Sequence, residues 1–226
     1  MRGFRTLYAY SMRVEMANVG RLLSPLFFGL TLLVLFSFAF ADLPPEWEAN
    51  AFVSTTTVTA FLSLQLAFAR AFEIEESDRL FDYLRSYPIS GNAWFLAKFC
   101  HVLTISAVSV VPVIALASIF FGKAAQMAIT WQFSLTIAGV FVGLASIGVL
   151  LATITLRTNA KQILFPLLYF PLVSPILIAA VESAKLGLDA GGANRSVEWL
   201  CLVGIFDLVY FMLGIIFFED MVRSGG

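Results

Sequence analysis

Charge is what this chain has least of. Only 13% of its 226 residues are Asp, Glu, Lys or Arg, about half the 25% usual in a soluble domain. With 60% hydrophobic residues, such a chain would leave too much apolar surface in water, so lipid is its natural solvent. Basic and acidic residues nearly cancel, 14 against 15, which excludes the basic footprint of a nucleic-acid binder. Cysteine occurs twice and histidine once. Cys100 and Cys201 both sit inside apolar runs with no second Cys or His at ligand spacing, so neither a disulfide framework nor a metal site is indicated. There is no G-x-x-x-x-G-K-[ST] loop to cradle nucleotide phosphates, no H-E-x-x-H and no G-x-S-x-G. Nothing pairs a nucleophile with a base, which disfavours an intramembrane enzyme. Energy for any work on a substrate must come from a partner or a gradient.

What is present is length of apolar run. Six segments, about 22–41, 51–70, 94–121, 131–156, 163–181 and 197–218, are long enough to cross roughly 30 Å of hydrocarbon as helices. Helices are the expected form, because an open-ended span must satisfy its backbone polar groups internally. The fold class read from the sequence is therefore an all-α integral membrane protein, one transmembrane domain over 1–226. An even number of spans puts both termini on one side. That side carries 11 of the 14 basic residues; the other has Lys123, Lys185 and Arg195. The asymmetry predicts cytoplasmic termini. Ala39-Phe40-Ala41 mimics a signal-peptidase site, but the polar stretch before the apolar run is about twenty residues long and contains Glu15, which argues against cleavage. Residues 1–21 alternate aromatic and aliphatic side chains with Arg2, Arg5, Arg13 and Glu15, the pattern of a helix lying on the lipid surface.

Charge accumulates in one place. "FEIEESDRLFDYLRSYPIS", 72–90, holds five acids and two arginines between apolar runs. Leu80, Phe81, Leu84 and Tyr87 recur at helical spacing, and the pairs Glu75–Arg79 and Asp82–Arg85 add local ion-pair support. Pro88 ends the helix. The expectation is a short amphipathic helix at 72–87 between spans two and three, acids outward. It would serve as a docking surface for a cytoplasmic protein or simply as a solvated loop.

Inside the spans, Gly139 and Gly143 stand four apart, with Ser146 and Gly148 beyond, a spacing that lets helix backbones approach closely. This suits packing within the subunit or against a second copy. Span five contains Pro166, Pro171 and Pro175, each removing a helix hydrogen bond, so a bent or locally unwound helix is expected. It would set shape alone or change bend during transport. His101 falls near the start of span three. The residue type can ligate haem or a metal, although a lone interfacial histidine more commonly packs and hydrogen-bonds. Asp207 lies midway along span six, where a carboxyl group must face protein or a water-filled cavity. It would pair with a hydroxyl on a neighbouring helix or line a pathway. Trp47, Trp94 and Trp199 read as interfacial anchors.

The run from Phe72 to Pro88, followed by "AKFCH" at 97–101, resembles the first cytoplasmic loop of the CcmB family, the membrane subunit of the haem-exporter-type ABC transporter of cytochrome c maturation. That family's F-x-x-D-x-x-D-G-[ST]-L, S-P-L-P and A-K-x-x-A-H elements are matched at or near Phe72, Glu75, Asp78, Leu80, Ser86, Pro88, Ala97, Lys98 and His101. "GLASIGVLLATITLRTNAKQILFPLLYFPLVSPILI" resembles the family's fourth and fifth spans. Arg79 stands at or next to the family's glycine, and Glu75 or Glu76 takes the place of an aspartate. The resemblance implies an ABC-2-like permease fold in the bacterial inner membrane. It makes the strip similar to a coupling helix, with Phe72, Glu75, Glu76, Asp78, Arg79, Leu80, Asp82 and Leu84 facing the ATPase. It further implies a CcmA-like ATPase subunit that supplies ATP hydrolysis, a second copy of the chain, and CcmC-like and CcmD-like subunits. Haem would be the transported or handled ligand. Alternatives are a generic ABC-2 exporter of lipid, glycan or drug, and a non-transporting membrane scaffold.

Overall fold

The computed structural model describes residues 2–68, 90–155, 161–189 and 191–223. Among them the chain is helical throughout, with no strand. In order the helices are α1 (Arg2–Ala17), α2 (Val19–Ala39), α3 (Pro45–Phe68), α4 (Gly91–Phe120), α5 (Gly122–Ala128), α6 (Trp131–Thr155), α7 (Lys161–Leu186) and α8 (Ala193–Arg223). Six of these, α2, α3, α4, α6, α7 and α8, are long and apolar enough to cross a membrane. They are spans one to six.

The spans bury themselves very unequally. Spans two and four are enclosed by their neighbours, whereas spans one and six turn most of their surface outward. Phe27, Phe38, Ile205, Leu208 and Ile216 on those outer helices are exposed, as expected where lipid, not water, covers them. Span two is the least apolar of the six. Its polar residues can be there because protein surrounds it.

Spans four, five and six pack as a close triad. Glycine allows this: a Cβ on Gly139 would meet Val203 Cγ1 of span six at 2.8 Å, and one on Gly148 would meet the Phe68 ring of span two at 2.8 Å. The small-residue face of span four thus serves contacts inside the subunit. Tyr169 of span five is fully buried among Phe61, Phe68 and Phe165, with ring centroids 5.2–6.0 Å away. Away from the termini, Thr136, Ser183 and Ser196 staple the triad. Ser183 Oγ donates to the Ser196 carbonyl at 3.0 Å, Ser196 Oγ donates to the Ser183 carbonyl at 2.7 Å, and Thr136 Oγ1 lies 3.3 Å from Ser183 Oγ.

Three local features depart from expectation. Span five runs as one continuous helix through Pro166, Pro171 and Pro175, so of the two expected forms, bent or locally unwound, the unwound one is not realised. Pro175 has no N–H for the Pro171 carbonyl, and Ser174 Oγ donates to that oxygen instead, at 2.9 Å. The connector after span three folds as the short helix α5, entered through Gly122 at φ +51°, where a side chain would be strained. Trp94, expected as an interfacial anchor, is covered by protein: it is 5% exposed and packs edge-on against Phe218 at 5.9 Å.

Candidate functional site

The strip 72–90 and the residues expected to engage an ATPase, Phe72, Glu75, Glu76, Asp78, Arg79, Leu80, Asp82 and Leu84, lie outside the described residues, apart from Ser90 at the strip's end. What the structure places is the frame around it. Span two ends at Phe68, and span three begins immediately after Ser90, whose side chain accepts a hydrogen bond from the Ala93 N–H. Any force on the strip therefore enters spans two and three first.

The amphipathic helix α1 is packed on span three, not only laid on lipid. Leu7, Ser11 and Glu15, spaced four apart, form its buried stripe, because residues at this interval share one helix face. Tyr8 reinforces the contact, with its hydroxyl 3.0 Å from Thr104 Oγ1 of span three. At its C-terminal end Glu15 enters a small charged junction with Arg21 of span one and with Lys98 and His101 of span three. Glu15 Oε1 lies 3.9 Å from Arg21 Nε, and Glu15 Oε2 lies 3.9 Å from His101 Nε2. Both separations exceed hydrogen-bond length. They leave a cavity of about 20 Å³ lined by Glu15, Arg21, Ala67, Phe68, His101, Val102 and Ile105, roomy enough for about one water molecule.

The electrostatics of this junction follow from burial. Glu15 is 8% exposed, and loss of solvent raises its carboxyl pKa above the ordinary value of 4.5, against the opposing pull of Arg21 and Lys98. Desolvation outweighs attraction here, because burial strips the carboxyl group of water while the Arg21 guanidinium stands 3.9 Å away. His101 is 5% exposed, and neither ring nitrogen has a hydrogen-bond partner among the described residues. The sequence reading singled out His101. It missed that Glu15, on a helix read as surface-bound, is what the histidine faces. A lone acid on the apolar stripe of α1 was the available signal.

Asp207 occupies a different place. It is 9% exposed, and its carboxyl group packs against the bare backbone of Gly143, with Gly139 one turn along. Its Oδ1 is buried without a hydrogen-bond partner. The expected alternative of a hydroxyl partner is not realised among the described residues. The two glycines make the notch that admits the carboxyl group, and Ile176 of span five closes it. The nearest polar tie between spans five and six is Tyr210 Oη donating to the Leu172 carbonyl at 3.1 Å. His101 and Asp207 thus belong to separate polar clusters. Pro166, Pro171 and Pro175 all lie on span five, and no group of three His, Cys, Asp or Glu among the described residues could hold a metal.

No curated protein matches the sequence. The model of the family described as "CcmB protein" matches residues 2–224. That interval takes in the docked helix α1, all six spans and the acidic strip between spans two and three. Because the match follows the whole architecture and not a single motif, this all-α integral membrane protein belongs to the CcmB family.

Proposed function

We propose that the chain is the membrane permease subunit of a haem-exporter-type ABC transporter of cytochrome c maturation. The observation that carries this reading is the family match across residues 2–224. The absence of a phosphate-cradling loop in the sequence supports a role that draws ATP hydrolysis from a separate, CcmA-like subunit, so the chain is a non-catalytic partner. On this reading the strip 72–87 is the coupling element, and the end of the bundle that carries α1 faces the cytoplasm of a bacterial inner membrane. A second copy and CcmC-like and CcmD-like subunits complete the assembly. Haem, or a haem-loaded chaperone, is the cargo or client.

The frame around the strip supports a mechanical role. Span three leaves the strip through the Ser90 cap and is held by α1 at Tyr8–Thr104 and at the Glu15–His101 junction. A push on the strip would therefore move α1 and span three as one body, while the triad of spans four to six stays packed through its glycine contacts. The test is charge reversal of Glu75, Glu76 and Asp78 to lysine in the intact complex. The expected result is a normally folded chain, loss of copurifying CcmA-like ATPase, and loss of c-type cytochrome assembly. Unchanged cytochrome assembly would overturn the reading.

A further inference from the structure

At the end of the bundle away from α1, span one finishes at Ala39, span two begins at Pro45 and span five finishes at Leu186. Trp47, Asn50, Ala51 and Ser54 recur at intervals of three and four, so they share one face of span two. That face, with Phe40 and Leu43 before it and Lys185 of span five, lines an open groove of about 300 Å³.

The polar side chains of the groove hold no partners. Asn50, Ser54 and Lys185 are each half-buried, and none makes a side-chain hydrogen bond or ion pair among the described residues. Ser54 differs in this from Thr56 and Thr57, whose hydroxyls donate to the Phe52 and Val53 carbonyls at 2.7 and 2.8 Å. Lys185 has Glu182 one turn behind it and forms no ion pair with it. Asp42, Glu46 and Glu48 are near in sequence, but no acid is among the described residues that line the groove. The groove therefore presents one ammonium group and two neutral donors beside an apolar wall of Phe40, Leu43, Trp47 and Ala51.

Half-buried donors without acceptors favour an occupant that brings oxygen atoms with it. The depth of the groove selects the kind. Trp47 stands near the start of span two, and Ser54 lies about 10 Å further along the helix axis. The groove thus runs from the headgroup level, where tryptophan is favoured, toward the hydrocarbon. A soluble anion would have to shed its water to fill it. A glycerophospholipid already carries a phosphate at the outer level, ester carbonyls below it and acyl chains below those. We propose that this groove binds one glycerophospholipid, with its phosphate on Lys185, its ester carbonyls facing Asn50 and Ser54, and its glycerol and upper chain against Phe40, Trp47 and Ala51.

The test titrates the full-length chain, delipidated in detergent, with dioleoylphosphatidylglycerol and reads the one-lipid adduct by native mass spectrometry. Dioleoylglycerol offers the same chains and esters without the phosphate, and glycerol 3-phosphate offers the phosphate without the chains. The phospholipid is expected to bind at least about tenfold more tightly than either, since it alone meets both parts of the groove. Lys185→Gln should weaken its binding about tenfold, Lys185→Arg by less than about threefold, and Ser54→Ala by about threefold. Lys123→Gln, at the same end but exposed and outside the groove, should leave binding unchanged. Dioleoylglycerol binding as tightly as the phospholipid would reduce the groove to an apolar cleft and overturn the proposal. Glycerol 3-phosphate binding as tightly would make it a site for soluble anions, and equal losses in Lys185→Gln and Lys123→Gln would mean ordinary annular lipid. Either result would equally overturn it. The comparison of ligands uses the unaltered chain, so it decides the outcome even where a substitution unfolds the protein.

Discussion

Spans four to six and spans one to three solve the same packing problem in opposite ways. In the triad, glycines bring backbones together, and the hydroxyls at its far end are tied: Ser183 and Ser196 exchange bonds, and Ser174 answers the carbonyl that Pro175 leaves open. Spans one, two and three meet at Gly29, where a Cβ would run into Ser63 and Val113, and the hydroxyls of Ser37, Thr55, Thr59, Ser63 and Ser109 have no hydrogen-bond partner among the described residues. The first arrangement is rigid, because every close contact excludes an alternative. The second is permissive, because a hydroxyl that holds no bond can take up a partner without breaking one. The acidic strip sits between spans two and three, at the edge of the permissive half. The rigid half has its exceptions: an Asp207 carboxyl oxygen in the glycine notch and the buried Tyr169 hydroxyl have no hydrogen-bond partner among the described residues.

Three measurements would break or sharpen this contrast. The largest effect is expected from Gly143→Ala. A Cβ there would collide with the Asp207 carboxyl group and reach Ile176 Cδ1 at 2.8 Å, so stability should fall by about 3 kcal/mol. Gly204→Ala on the outer side of span six, where nothing lies within 4 Å, should be neutral or slightly stabilising. Thermal unfolding in membranes or detergent compares the two, and equal behaviour would remove the rigid half of the argument.

A smaller difference separates the two kinds of hydroxyl. Ser183→Ala breaks the staple to Ser196 and strands its partners, with an expected loss of about 1–2 kcal/mol. Thr59→Val removes a hydroxyl that no protein group answers, so the change should stay within about 0.5 kcal/mol of zero. A large loss at Thr59→Val would reveal a protein partner.

The smallest effect concerns pH at the α1 junction. Burial raises the folded-state pKa of Glu15 above 4.5, so the folded chain keeps this proton to higher pH than the unfolded chain does. Stability is then greatest below 4.5 and declines as pH rises from there toward the raised folded value. Attachment of α1 to span three should accordingly be tighter at pH 5 than at pH 7.5. Spin-label distances between α1 and span three would report this, and Glu15→Gln should flatten the profile. A variant that keeps the wild-type pH response would assign it to another titratable group facing the junction, Lys98 or His101.

Much of the architecture was legible beforehand for a simple reason. A span must satisfy its backbone and hide it from lipid within one continuous helix, so apolar length alone reveals it. Gly139, Gly143 and Gly148 could be read as close-contact residues for a similarly local reason, the missing side chain. What they contact was not legible: spans five, six and two all turned out to be partners. Trp94 looked like every other interfacial tryptophan and is buried, because periodicity does not reveal which face a neighbouring helix will cover. Thr55, Thr59 and Ser63 looked like Thr56 and Thr57. Only the packed bundle separates hydroxyls that close onto their own helix from those without a partner among the described residues.

The sequence by itself determined that the chain lives in lipid, crosses it six times, and concentrates its acids in one strip beside span three. These properties depend on composition and on contacts within a few residues. The tertiary structure alone decided that Glu15 faces His101, that Asp207 rests against two glycines, and that five hydroxyls on spans one to three have no partner among the described residues. Each of those depends on which helices become neighbours, and that choice is made by packing the whole bundle, a sum over distant residues that no local pattern encodes.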